Sequence, residues 1–308
     1  MTHGQLDLFN PLLVHPPVAT GQRRRRRRNE LLEVMSLTLV VCRRRLNDYS
    51  CPKSKHTFTQ PQLLACLILK TYLKLSYRAT TELLEASDQL RAVLGLELAP
   101  AHTTLLEFSK RTLSPALLDQ LVGEVLALCQ ENGLIVKEVA IDSTGIETSS
   151  ASAHFVSRAK RKRDGYVKLS LAVACASIML VSLVISTGPC NDLCEASEVL
   201  WKSAGRCNPD WALMDKGYDA ERIHTFCAGW GATSYIPPVP KTKDGTIQSG
   251  PGRIRCGKHR PYLAGNRWHA ESFISGMKRT CGSTLAAQSE PALLIEAGLK
   301  ALAYAIRR

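Results

Sequence analysis

The stretch "EVAIDSTGIET", Glu138 to Thr148, decides how the second half of this chain is read. Val139, Ala140 and Ile141 form an apolar run of the kind that fills a buried strand, and the run delivers one acid, Asp142. Ser143, Thr144 and Gly145 follow. Their composition predicts a sharp polar turn, because Asp and Ser hydrogen-bond their own backbone in turns. A carboxylate carried to the tip of a strand has two explanations: it shapes the turn, or it holds a cation. One acid alone does not decide between them.

Working outward, "LIVKEVAID" reads as a buried strand, and "YVKLSLAVACA" and "SIMLVSLVIST" as a second and third. Their link is short, which makes the pair antiparallel. The apolar run 169–186 approaches membrane length, but its four serines and its β-branched residues fit two strands better than a spanning helix. "DLCEASEVLWKSA" predicts a short helix, "DWALMDKGY" a strand ending on Asp215, and "DAERIHTFCAGWG" a helix closed near Gly231. "ATSYIPPV" is a last strand. Residues 240–260, rich in Gly and cations, read as loop, and two helices follow around 264–280 and 290–306. This order describes an α/β architecture, a mixed sheet with helices, over residues 134–308.

The text before it is different. Residues 1–28 are Pro-rich and then Arg-rich, a disordered basic tail. Residues 29–133 read as helices. "NELLEVMSLTLVVCRRRL" carries cations at its end, where the helix dipole favours them, and "TQPQLLACLILKTYLKL" has Pro61 near its first turn. "SPALLDQLVGEVLALCQENG" has a capping Ser114, Pro115 at the first position and Gly133 at the stop. This helical N-terminal region is a candidate for DNA binding, although no clear helix-turn-helix pattern is visible.

The chain has 308 residues, 45% hydrophobic and 22% charged, with a net charge of +13. Such a composition builds a buried core, and the charge points to a polyanionic partner. Without the arginines Arg23 to Arg28 the balance would still be +7. The eleven cysteines include no C-x-x-C pair and match no standard zinc module, so they read as reduced thiols. No charged-then-apolar leader opens the sequence, which predicts a cytosolic protein with no membrane partner.

Two strands therefore end in acids, "VAIDSTG" at Asp142 and "ALMDKGYD" at Asp215. In open α/β sheets, ligands gather beyond the carboxyl ends of the strands. Adjacent buried carboxylates repel unless a cation lies between them, and Mg²⁺ prefers such oxygen donors. A third acid lies in "GNRWHAESFISGMKRTCG", where Arg267, Glu271 and Lys278 fall on one helix face. An acid between two cations suits phosphoryl transfer on nucleic acid, with metal and phosphate held side by side.

This combination resembles the DDE transposases of bacterial and archaeal insertion sequences, in the group with a Tyr-x2-Arg-x3-Glu-x6-Lys signature. Arg267, Glu271 and Lys278 match its spacing, while the signature Tyr position is Ala264 and the nearest tyrosine is Tyr262. "AIDSTGIET" looks like the first-acid motif, "YVKLSLAV" like the second strand with Lys168, "GPCND" like the turn after the third strand, and "MDKGYD" like the second-acid motif. "HTTLLEFSKR", 102–111, echoes the helix before the catalytic domain, so the likeness spans roughly 100–305. The resemblance implies a ribonuclease-H-like fold and an enzyme whose Asp142, Asp215 and Glu271 bind Mg²⁺ or Mn²⁺. It implies cleavage at transposon ends, strand transfer into target DNA, and a homodimer or larger assembly on DNA.

Other residues have assignable roles on this reading. Lys278 and Arg279 are expected at DNA phosphates with Arg267; Lys168, a lone cation in an apolar strand, either reaches the site, where it would bind DNA, or lies at the sheet edge. Trp268 is placed for stacking on an unpaired base, with core packing as its alternative. Ser143 and Thr144 read as turn residues rather than nucleophiles. "GRIRCGK", Gly252 to Lys258, mimics a phosphate loop but is followed by His259 and Pro261 instead of Ser or Thr and a helix. The competing functions are a transposase-derived DNA-binding protein without catalysis and a nuclease that cuts without joining.

Overall fold

A computed structural model describes residues 29–53, 55–148, 166–240 and 250–308. The arginine run, the rest of the tail and residues 241–249 of the cationic loop lie outside the described residues.

Among the described residues six helices come first: α1 (Glu30–Arg45), α2 (Gln60–Tyr72), α3 (Tyr77–Ala86), α4 (Asp88–Leu94), α5 (His102–Thr112) and α6 (Pro115–Glu131). Their starts follow from local chemistry. Asn29 accepts from the Leu31 amide at 3.1 Å. Thr59 and Gln62 form a reciprocal capping box with Pro61 in the first turn, and Ser114 caps α6 ahead of Pro115. Each satisfies amides that a helix start would leave bare.

The second half alternates strands and helices: β1 (Glu138–Glu147), β2 (Tyr166–Ala174), β3 (Met179–Thr187), α7 (Asp192–Ala204), β4 (Trp211–Met214), α8 (Glu221–Trp230), β5 (Thr233–Tyr235), α9 (Pro251–Lys258), α10 (Trp268–Cys281) and α11 (Glu290–Arg307). Short 3₁₀ turns at Lys216–Tyr218 and Tyr262–Arg267 follow β4 and precede α10. Among the described residues the sheet has five strands in the order β3-β2-β1-β4-β5. β1 to β3 form an antiparallel meander, and β4 and β5 add in parallel beside β1. The apolar run 169–186 is the β2–β3 hairpin, as its serines and branched residues predict. Among the described residues no single helix is long and apolar enough to cross a membrane.

Alternation along the strands sorts the helices onto two faces. On β3, Ser182 bonds Val199 and Ser203 of α7, and Ser186 bonds Glu195. Ile185, of opposite parity, meets Leu118 of α6 across Gly298 of α11. So α7 covers one face, while α6 and α11 cover the other, joined by α10. A Cβ at Gly276 would collide with the Tyr304 ring, so α10 and α11 approach as closely as they do only because that residue is glycine. The helical segment is continuous with the sheet's core: α6 packs on β3 and α11, and α2 also packs on α11.

Four expectations change. The polar turn at Ser143–Gly145 is absent; β1 runs on to Glu147, held by β2 through Glu147 opposite Tyr166. Local turn propensity is overridden there by a complete antiparallel ladder. The same strand starts at Glu138 rather than at Leu134. Residues 251–258, read as loop, form α9, started by Pro251; "GRIRCGK" is helical rather than a loop. The helix read from about 264 starts at Trp268, after a 3₁₀ turn.

Candidate active site

The extra length of β1 builds the site. The parallel ladder between β1 and β4 ends at Ile141 opposite Met214. Asp142 and Asp215 are the next residue on each strand, so the two acids lie side by side where pairing stops. Beyond that point β1 keeps β2 on one side, and on the other only Glu147 is bridged, to Thr284. Asp215 then turns its chain away, its Oδ1 accepting from the Gly217 amide at 2.7 Å.

Alternation directs the next side chains. Asp142 lies opposite Leu171, on the face covered by α10 and α11, and Thr144 shares that face. Thr144 accepts from Lys278 Nζ of α10 at 2.7 Å, and the Gly145 carbonyl accepts from the same ammonium at 2.8 Å. Ser143 lies opposite Ser170, on the α7 face, and its hydroxyl donates to Asp192 Oδ1 at 2.5 Å. A turn at 143–145 would have sent neither side chain to these partners.

Glu271 arrives from α10. A cleft of about 600 Å³ is lined by Asp142, Ser143 and Thr144 of β1 and by Glu271, Lys278 and Arg279 of α10. Arg267, at the start of α10, reaches between the two acids: its guanidinium lies 2.6 Å from Glu271 and 3.7 Å from Asp142. Asp142 is the strained member. Burial pushes its carboxyl up to about 6, with Asp215 and Glu271 adding to the rise and the Ser143 amide and Arg267 opposing it. Lys278 is also partly desolvated, which lowers its ammonium below the usual range against the pull of Glu147.

The residues fit a hard divalent cation in their chemistry. They offer three carboxylates, and Asp142 is desolvated with little to compensate it. The Tyr218 hydroxyl is buried without a well-formed hydrogen bond, in the field of Asp192, Asp142 and Asp215. In the arrangement present, Arg267 occupies the ground between Asp142 and Glu271, and among the described residues no three acids, histidines or cysteines stand in ready coordinating geometry.

Lys168 is corrected. Its residue is 3% exposed, and its ammonium donates to Asp192 at 2.8 Å and to the Cys190 carbonyl at 2.8 Å, with Glu195 at 3.5 Å. Burial would lower its proton affinity, but Asp192 and Glu195 more than offset this and hold it above the usual value. It lies on the α7 face and is unavailable to DNA. Arg279 is exposed on the cleft wall. Trp268 is 52% exposed and stacks on His269 with ring centroids 4.0 Å apart, and Tyr262 is 96% exposed.

Sequence reasoning missed Asp192, Ser143 and Tyr218 as neighbours of the site. "GPCND" holds Asp192 without marking its partner. The signal for Ser143 lay in the period of two across "EVAIDSTGIE", once that segment is read as one strand. Cys42, Cys66, Cys175 and Cys227 are buried free thiols.

A family described as the transposase DDE domain matches residues 137–306, from the start of β1 to the end of α11. That is more than half of the chain, and the protein belongs to this family of DDE transposases. Comparison with curated proteins returned no match.

Proposed function

We propose that this protein is an insertion-sequence transposase that cuts DNA at the ends of its element and joins them to target DNA, with Mg²⁺ or Mn²⁺ bound by Asp142, Asp215 and Glu271. The observation that carries the reading is the meeting of Asp142 with Asp215 at the end of the β1–β4 ladder, with Asp142 and Glu271 lining one cleft rimmed by cations. The family match supports it.

Bound divalent ions would activate the attacking oxygen and stabilise the leaving one. The protein's own groups supply the rest. Asp142 and Asp215 are fixed by strand register. Glu271 would complete the donor set once Arg267 leaves its 2.6 Å pair with Glu271 and turns toward a phosphate. Lys278, braced on Thr144 and Gly145, and the exposed Arg279 offer positive charge along the same wall. Trp268, exposed beside them, offers a face for an unpaired base. The α1–α6 region would supply further DNA contacts, and a homodimer or larger assembly would bring two ends together. The protein works on DNA in a prokaryotic cytosol, without a membrane partner.

The test uses the full chain with a labelled duplex carrying its element's end. Asp142→Ala, Asp215→Ala and Glu271→Ala should each lower Mg²⁺-dependent nicking by about 10³-fold or more while DNA binding persists, since several kcal/mol of charge stabilisation is lost. Undiminished nicking by Asp142→Ala would sink the assignment. Pre-cut ends that fail to join would favour a nuclease, and absence of both steps a DNA-binding protein.

A further inference from the structure

Behind the acids lies an ion pair that the proposed chemistry does not use. Lys168 of β2 and Asp192, the first residue of α7, meet on the opposite face of the sheet from Glu271. The Lys168 side chain is 4% exposed while that of Asp192 keeps 33%, and holding a lysine ammonium that deep seldom stabilises a fold more than apolar packing would, so the pair's presence asks for another reason. Glu195 extends the group, accepting from Ser170 and Ser186.

The geometry points to Lys168 and Asp192 as positioning residues that set Asp142 through Ser143; the inference rests on the cleavage reading above. Ser143 is held at both ends. Its amide donates to Asp142 Oδ1 at 2.8 Å, and its hydroxyl donates to Asp192. This matters because β1 has lost its β4 partner at that point; Lys278 holds Thr144 and the Gly145 carbonyl and Thr284 bridges Glu147, while at Ser143 itself β2 is the remaining strand partner. The hydroxyl contact pins the overhanging strand from below. Asp192 also lies beside the second acid's turn. A Cβ placed on Gly217 would come within 3.2 Å of Asp192 Oδ2 and 2.9 Å of Asp215 Oδ1. One carboxylate therefore braces the residue after Asp142 and lies against the turn after Asp215. Lys168 fixes that carboxylate and keeps it charged: burial opposes ionisation, but the Lys168 and Ser143 bonds hold Asp192 below the usual carboxylate range.

The test compares Asp192→Asn, Ser143→Ala, Ser143→Thr, Lys168→Met and the double variant Ser143→Ala/Asp192→Asn in the full chain. Mn²⁺ binding is read by electron paramagnetic resonance without DNA, and nicking is read as a function of Mn²⁺. Asp192→Asn and Ser143→Ala should each raise the Mn²⁺ midpoint about tenfold in both readouts, the size expected when a partner of a metal ligand is removed. Ser143→Thr, which keeps the hydroxyl, should stay near wild type, and the double variant should be no worse than Asp192→Asn. Should Lys168→Met fail to fold, the near-isosteric Asp192→Asn still decides. Midpoints within about twofold of wild type, or losses that simply add, would overturn the proposal and mark the pair as scaffold. A wild-type chain that binds Mn²⁺ but never nicks would overturn the transposase reading instead, and the binding midpoints would still judge this one.

Discussion

Two aspartates, one on a helix packed against the sheet and one on its central strand, are treated in opposite ways. Asp119 of α6, 3% exposed, receives both guanidinium nitrogens of Arg206 at 3.0 and 2.8 Å and the Leu183 amide at 2.8 Å. It ties α6 to β3 and to the end of α7 with its oxygens satisfied. Asp142, with 18% of its side chain exposed, has the amide of its own neighbour and a guanidinium at 3.7 Å. The first carboxylate is compensated from distant segments, the second is left short. Undercompensated burial is what raises the Asp142 pKa and leaves lone pairs free for a cation.

The comparison can be broken from either side. The largest stability effect should come from Asp119→Ala, which strands Arg206 and three elements' worth of contacts. A loss of about 3–5 kcal/mol in denaturant unfolding is expected, as for a broken buried pair. A cost under about 1 kcal/mol, the range of a surface pair, would show that Asp119 and Asp142 do not differ as described.

Asp142→Asn should do the reverse in metal-free protein and raise Tm by a few degrees at pH 7.5. The sign follows from the raised pKa. A carboxyl that titrates near 6 when folded and near 3.8 when unfolded opposes folding fully above pH 6, and the penalty fades as the pH falls toward 4. The gain from the amide should fade over the same window. Millimolar Mg²⁺ should stabilise the wild type and not the variant. A variant less stable than wild type at pH 7.5 would remove the case for an undercompensated carboxyl.

The smallest effect belongs to the rim. Arg279→Ala should weaken DNA binding about equally for all sequences and reduce the slope of log K against log salt by about 1, with no change in Tm. An unchanged slope would take Arg279 off the DNA path and leave Lys278, which is braced internally, as the cation of that wall.

Much of this was legible before folding. The caps at Asn29, Thr59 and Ser114 are local, and they start helices where expected. The strand Tyr166–Ala174 and the helix Asp192–Ala204 fall where their patterns put them. The three acids stand out as polar residues ending apolar runs or interrupting a cationic face. Ser143–Gly145 misled because turn propensity was judged over three residues, whereas nine paired positions of β2 decide it. Pro251 and Gly252 misled in the other direction, since a Pro-Gly pair reads as turn but also suits the first turn of a helix. Lys168 misled because nothing local shows that Asp192 and Glu195 await it across the sheet.

By itself, the sequence determined the kinds of elements, their order, the basic character and the three acids, because propensity, capping and periodicity act within a few neighbouring residues. Only the tertiary structure decided that Asp142 and Asp215 are ladder neighbours, that Ser143 and Asp142 face opposite sides, that Arg267 bridges two acids, and that Lys168 is buried. Those outcomes depend on strand register and on packing between segments tens to more than a hundred residues apart, where a shift of one residue exchanges the faces.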